Sequence, residues 1–187
     1  MIVVDTHVLA WGVQKEHDPK CPDGVDRALQ LIKAYSNTKQ PIVVPAIVLA
    51  EYLAGQCLDR SRSIHDILGK AFFIAPFDTQ CADIAGALYD KRTADSILAG
   101  NAVSRVALKD DYKILATAIA LKASHLYTHD NWIGKIEQRG VSKHIVKVME
   151  LPPLRTPDPE PEMAAGQPTF GIQGSLPFGD PDDRTSR

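Results

Sequence analysis

Short, wholly apolar runs alternate with longer amphipathic segments along this chain, and this alternation limits the folds open to it. The first run, at residues 2–4, has no polar position. Such a strand is typical of a parallel sheet covered on both faces. Further strands are predicted at residues 42–44, 72–75, 126–128 and 145–148. We therefore expect an α/β domain with a mostly parallel sheet, in which the first strand is central.

The segments between these runs show helical spacing of apolar residues. Helices are predicted at residues 24–36, 46–55, 61–70, 79–92, 94–106 and 111–122. Pro45 favours both the end of the second strand and the start of the next helix. The 111–122 segment has the clearest apolar stripe, and its acidic residues are expected at the helix N-terminus, where the dipole favours negative charge.

Four carboxylates lie close to breaks between apolar runs and the next element. They are Asp5, Glu51, Asp111 and Asp130. In an open parallel sheet, strand ends and the following helix starts line one crevice, where such folds bind ligands. Four acids gathered there would repel one another unless a cation lay among them.

Each acid also has a simpler structural explanation. Asp5 could cap a helix, Asp111 could be a favourable charge at a helix N-terminus, and Glu51 could pair with a lysine. His7 is interpreted as an ordinary structural or surface residue. Four independent structural roles at four such positions are a less economical account than one metal site.

The donor set indicates which metal the site would hold. Carboxylates are hard oxygen ligands and suit Mg²⁺ or Mn²⁺ better than zinc. The three cysteines are widely spaced and form no Cys-x-x-Cys pair, so neither a thiolate zinc site nor a disulfide framework is indicated. One or two such ions could activate water and stabilise the leaving oxygen of a phosphodiester.

Composition predicts a soluble protein with a large core. The 187 residues are 44% hydrophobic, and no apolar run approaches the roughly 20 residues of a membrane helix. The N-terminal residues lack the basic and apolar regions of a secretory signal. We therefore expect a cytoplasmic protein that does not bind membranes.

The last part of the chain differs in composition from the rest. Residues 150–187 hold eight of the 13 prolines and seven acidic residues against three arginines. Such a segment buries too little surface to offset its ordering entropy. We predict a domain at residues 1–149 and an extended or disordered acidic tail at 150–187. The domain then carries a slight basic excess, which suits a polyanionic substrate.

Four sequence blocks contain the acids considered above, namely residues 4–9 (VDTHVL), 45–53 (PAIVLAEYL), 111–118 (DYKILATA) and 128–130 (THD). In this order they resemble the PIN-domain nucleases, a family that includes the toxins of bacterial VapBC toxin–antitoxin systems. The resemblance implies a three-layer α/β/α sandwich and a Mg²⁺- or Mn²⁺-dependent ribonuclease. It also implies a homodimer and, for a toxin, a cognate antitoxin.

The resemblance also implies roles for individual residues. Asp5, Glu51, Asp111 and Asp130 correspond to the family's acidic metal site. Thr6 and Thr128 would orient a carboxylate or the attacking water. Counting back from Ile114 in the third block selects Asp111 for the site and leaves Asp110 as an outer or solvent-facing charge.

Two other functions remain open from the residues. An aspartyl-phosphate phosphatase could use Asp5 as its nucleophile, but His7 stands where a second aspartate is needed. A non-catalytic module with the same fold, used for dimerisation or partner binding, is the stronger alternative.

Overall fold

The computed structural model describes residues 1–38, 40–100, 104–130, 133–136 and 146–154, and Met1–Leu154 forms one compact unit. The predicted tail from residue 155 onward lies outside the described residues. The strands are β1 (Ile2–Val4), β2 (Ile42–Pro45), β3 (Phe73–Ala75), β4 (His125–Tyr127) and β5 (Lys147–Met149). The helices are α1 (Thr6–Gly12), α2 (Gly24–Asn37), α3 (Ala46–Leu53), α4 (Leu58–Ala71), α5 (Thr79–Leu88), α6 (Lys91–Gly100) and α7 (Arg105–Ala120), with a 3₁₀ turn at Ile133–Lys135.

The five strands form one sheet in the order β3-β2-β1-β4-β5, with every pairing parallel. β1 is central, and Ile2 is in register with Ile42 on one side and His125 on the other. Every residue of β1 and β2 is buried, because helices cover both faces of the sheet. The predicted mostly parallel α/β/α sandwich is confirmed.

The prediction of one continuous helix at 79–92 is wrong, because the helical conformation is interrupted between α5 and α6. Tyr89 adopts an extended conformation, and the Asp90 carboxylate then accepts hydrogen bonds from the backbone N–H and the hydroxyl of Thr93. This capping starts a new helix at Lys91. The helix predicted at 94–106 ends at Gly100 within the described residues, and residues 101–103 lie outside them.

The start predicted for the last long helix, at residue 111, is also wrong. Ser104 caps α7, accepting a hydrogen bond from the Ala107 backbone N–H at 3.1 Å, and the helix begins at Arg105. Its first turn therefore contains no acid. Asp111 lies in the second turn and is buried, so it is not an N-terminal helix charge.

The chain continues beyond β5 in contact with the domain. Leu151 is buried, and the Arg27 guanidinium donates to the backbone carbonyls of Leu151 and Pro152. None of the helices in the described part of the chain has the length and apolar character of a membrane span.

Candidate active site

The site lies at the carboxyl end of the sheet, between β1 and β4. From β1 the chain moves outward through β2 and β3, and it then returns to the other side of β1 as β4. The strand order therefore reverses between β1 and β4, which is the position where parallel α/β sheets open a crevice for ligands. Asp5 directly follows β1 and Thr128 directly follows β4.

Asp5 is held by two hydrogen bonds, one to each carboxylate oxygen. Oδ1 accepts from the Thr6 backbone N–H at 2.7 Å, so Asp5 does cap α1. Oδ2 accepts from the Thr128 hydroxyl at 2.6 Å, across the gap between the two strands. Asp5 is only 3% exposed. A simple cap would leave the second oxygen in water, whereas here a buried hydroxyl fixes it.

Asp130 is the second acid of the crevice. Its backbone N–H donates to the Thr128 hydroxyl oxygen at 3.0 Å, so Thr128 ties both acids together. Burial raises the pKa of Asp130, and the Asp5 charge raises it further, while His7 and His129 oppose the shift. The Asp5 and Asp130 carboxylates are therefore close enough for their charges to interact.

Glu51 reaches the same crevice from α3. The Thr6 hydroxyl donates to its Oε2 at 2.5 Å. The residue is exposed overall, yet loss of surrounding water raises the pKa of its carboxyl. The Thr6 hydrogen bond opposes this shift, and the charges of Asp5, Asp110 and Asp130 add to it. A threonine, rather than a lysine, is thus the hydrogen-bond partner that fixes this carboxylate.

The helix α7 carries two further acids, Asp110 and Asp111, on different sides of its axis. Asp111 is 7% exposed and lies on the buried stripe with Ile114 and Leu115. Asp110 is half-buried, lies 2.6 Å from the Lys113 ammonium, and contributes to the raised pKa of Glu51. Asp110, interpreted from the sequence as an outer charge, is thus in electrostatic contact with the site.

Three rings form one wall of the crevice. The His7 ring centroid lies 5.4 Å from that of Trp11 and 5.7 Å from that of His129, and the latter two are 5.1 Å apart. His7 Nδ1 lies 3.7 Å from Asp5 Oδ2. The pKa of His7 is raised, chiefly by Asp5, while burial opposes the shift.

The structure brings together five of the six residues singled out from the sequence through direct contacts or charge interactions. These are Asp5, Thr6, Glu51, Thr128 and Asp130. Asp111 is placed on the buried side of α7, which packs against α3. Sequence reasoning assigned no role to His7, although its position two residues after Asp5 places it in the first turn of α1, facing the same crevice.

Comparison with known proteins identifies the fold. A family model described as the PIN domain matches residues 2–137. A chain from the crystal structure of VapBC2 from Rickettsia felis, bound to a DNA fragment from the promoter, superposes with a TM-score of 0.53. The two chains are 21% identical, and the match covers 80% of this chain and 98% of that one. No curated protein matches the chain significantly.

A second solved structure has a similar chain. DNA-bound VapBC from Salmonella typhimurium gives a TM-score of 0.49 at 16% identity, over 80% of this chain and 97% of that one.

Proposed function

The chain belongs to the PIN-domain family, and from this premise we propose that it is an endoribonuclease that hydrolyses RNA phosphodiester bonds with a divalent cation. The observation that carries the proposal is the closeness of the Asp5 and Asp130 carboxylates at the strand-order reversal, where Thr128 bonds the Asp5 carboxylate and the Asp130 backbone N–H. Such a crevice between parallel strands is where a polyanionic ligand and its counter-cation would bind.

The residues fit a hard divalent cation. The raised pKa values of Asp130 and Glu51 reflect burial and mutual repulsion, which a cation would relieve. A carboxylate oxygen of Asp5, one of Asp130 and a ring nitrogen of His7 lie within 4.8 Å of one another. Carboxylate oxygens suit Mg²⁺ or Mn²⁺. Such an ion supplies activation of water and stabilisation of the leaving oxygen.

Each side chain has a distinct task in this proposal. We assign Asp5, Glu51, Asp111 and Asp130 to the cation, with Asp130 acting directly or through water. Thr6 orients the Glu51 carboxylate and Thr128 orients Asp5, so both threonines are positioning residues. The burial of Asp5 and Thr128 excludes competing water from their hydrogen bond, which strengthens it.

We extend the proposal to a toxin with a cognate antitoxin, acting as a cytoplasmic homodimer. The sequence resemblance to VapBC toxins motivates this step, and a solved VapBC2 chain shares the fold. The proposal also keeps the division into a nuclease domain at residues 1–149 and a tail at 150–187, whose first residues, up to Leu154, belong to the same compact unit as the domain. A small open reading frame beside the gene, whose product co-purifies with this chain and suppresses its activity, would support the toxin role.

A cleavage assay tests the enzymatic proposal. The full chain is incubated with labelled single-stranded RNA or DNA and with Mn²⁺ or Mg²⁺, with and without a chelator. Asp5→Asn and Asp111→Asn remove a ligand charge at nearly constant volume. The matched control is Asp83→Asn, which makes the same change at an exposed position on α5.

We expect chelator-sensitive RNA cleavage that the control retains. Both site variants should lose about a hundredfold or more, since even an outer partner of a metal ligand is worth 10–100-fold. Full activity in both would refute the site assignment. Absence of cleavage and of metal binding in the wild type would favour the non-catalytic module, and release of phosphate from small esters would favour a phosphatase.

A further inference from the structure

A ring nitrogen of His7 lies close to the carboxylates of Asp5 and Asp130. His7 is the third residue, with these two acids, whose donor atoms lie within 4.8 Å of one another. The position follows from local geometry, because Asp5 caps α1 and His7 is the second residue of that helix. A short helical turn therefore directs both side chains towards the same space.

The hydrogen bonding of this imidazole is incomplete. His7 Nδ1 is buried and has no hydrogen-bond partner among the residues that the structure describes. Its nearest carboxylate oxygen, Asp5 Oδ2, is 3.7 Å away, which is too long for a hydrogen bond. That oxygen already accepts a bond from Thr128 at 2.6 Å. A buried polar atom in this state needs a physical reason, and coordination of a cation would supply one.

Packing, rather than hydrogen bonding, orients the ring. Trp11 and His129 lie against it at centroid distances of 5.4 and 5.7 Å. Aromatic contacts at such distances fix a ring without occupying its nitrogens. The imidazole is thus held in place with a nitrogen still available as a ligand.

We propose that His7 is a nitrogen ligand of the divalent cation and biases the site towards a transition-metal ion over Mg²⁺. The inference rests on the proposed function only in requiring a cation at Asp5 and Asp130. Mg²⁺ prefers oxygen ligands and retains its waters, whereas imidazole binds first-row transition ions well. A site of two carboxylates and one imidazole therefore differs in preference from one made of carboxylates alone.

The competing explanation is that His7 only packs against Trp11 and offsets the Asp5 charge. Cleavage activity cannot separate the two roles, since either would affect the rate. A direct metal–nitrogen bond has a spectroscopic signature that packing lacks. Mn²⁺ is the probe, because its unpaired electrons couple to a directly bound ¹⁴N nucleus.

The experiment is pulsed electron paramagnetic resonance on the full chain loaded with Mn²⁺, with dissociation constants for Mn²⁺ and Mg²⁺ measured in parallel. His7→Phe keeps an aromatic ring against Trp11 but removes the nitrogen. The matched control is His125→Phe, since His125 is also half-buried and stacks on Tyr127, but it lies on β4, before the site. Labelling with ¹⁵N-histidine identifies the coupled nitrogen as histidine.

We expect ¹⁴N coupling in the wild type and in His125→Phe, and its loss in His7→Phe. The Mn²⁺ dissociation constant of His7→Phe should rise about tenfold or more, with a much smaller change for Mg²⁺. Bound Mn²⁺ without nitrogen coupling in the wild type would overturn the inference and leave the proposed function intact. Coupling that persists in folded His7→Phe would also overturn it. No Mn²⁺ binding at all would overturn both, and the wild-type spectrum decides the matter even if His7→Phe does not fold.

Discussion

The Thr128 hydroxyl lies 2.6 Å from Oδ2 of Asp5, joining two residues 123 positions apart in the chain. Each follows a neighbouring strand of the sheet, and both are buried. The bond therefore connects the ends of β1 and β4 at the point where the site opens. It makes the geometry of the Asp5 carboxylate depend on correct pairing of the two strands.

Replacing Thr128 with valine tests this connection. Thr128→Val keeps the shape but leaves Asp5 Oδ2 without its donor, which should cost about 1.5–3 kcal/mol of unfolding free energy in the metal-free chain. Metal affinity should fall about 10–100-fold, because Thr128 orients a ligand. Denaturant unfolding and metal titration measure the two effects. Thr128→Ser retains the hydroxyl and should stay close to wild type; a valine variant equal to wild type in both measurements would contradict the argument.

Much of the fold was predictable because its signals are local. The apolar runs at Ile2–Val4 and residues 42–44 predicted buried parallel strands, and the structure confirms them. The start of α7 depended on the hydroxyl of Ser104, and the break before α6 depended on Asp90; both lie outside the clear apolar stripes. Short capping contacts of this kind are weak sequence signals.

The site was less predictable than the fold. Asp5 and Asp130 could be selected because each follows a strand, but their shared contact through Thr128 is a tertiary relationship that no spacing encodes. His7 was missed for a different reason. A histidine near an apolar segment is usually structural, and only the folded chain shows its Nδ1 buried without a hydrogen bond to any described residue.

The raised pKa of Asp130 predicts a pH-dependent penalty in the metal-free chain. The folded-state pKa lies above the ordinary value of 3.8, so the folded state binds this proton more tightly than the unfolded state. The stabilisation that this proton gives to the folded state is complete below pH 3.8. It is lost as the pH rises through the folded-state pKa of Asp130. At neutral pH, Asp130→Asn should therefore be more stable than wild type without metal.

Thermal unfolding with a chelator, measured across this pH range, tests the prediction. The advantage of Asp130→Asn should shrink as pH falls towards 3.8, and Asp83→Asn, the same change at an exposed position, is the control. Saturating Mn²⁺ should make wild type more stable than Asp130→Asn, since wild type gains more unfolding free energy from metal binding. A stability difference that does not vary with pH would count against charge repulsion as its cause.

Asp111 and Asp110 should differ in their effects on cleavage and on Glu51. Asp111→Asn should abolish cleavage, whereas Asp110→Asn should reduce it less, because Lys113 at 2.6 Å already offsets the Asp110 charge. Asp110→Asn should nevertheless lower the pKa of Glu51 towards its ordinary value, since that charge contributes to the shift. Carboxyl-detected NMR titration and RNA cleavage measure the two effects. Equal loss of activity in both variants would place Asp110 inside the site.

Gly24 has no side chain and so leaves room for Trp11, one of the three rings packed together beside the site. A Cβ at this position would lie 2.9–3.1 Å from ring atoms of Trp11, and the shortest of these contacts is closer than real Cβ atoms approach. Gly24→Ala should therefore displace the ring and cost about 1–3 kcal/mol of unfolding free energy, even though alanine favours helices. Gly69→Ala is the matched control on α4, where a Cβ meets no atom of the described residues within 4 Å. That control should instead gain about 0.5–1 kcal/mol.

The same pair of variants links this packing to the metal site. Trp11 lies against His7, with ring centroids 5.4 Å apart, so a displaced Trp11 should also move the imidazole. Gly24→Ala should weaken Mn²⁺ binding, whereas Gly69→Ala should leave it unchanged. Equilibrium unfolding and Mn²⁺ titration on both variants measure the two effects together. If Gly24→Ala lost stability but bound Mn²⁺ like wild type, the position of the His7 ring would not depend on Trp11.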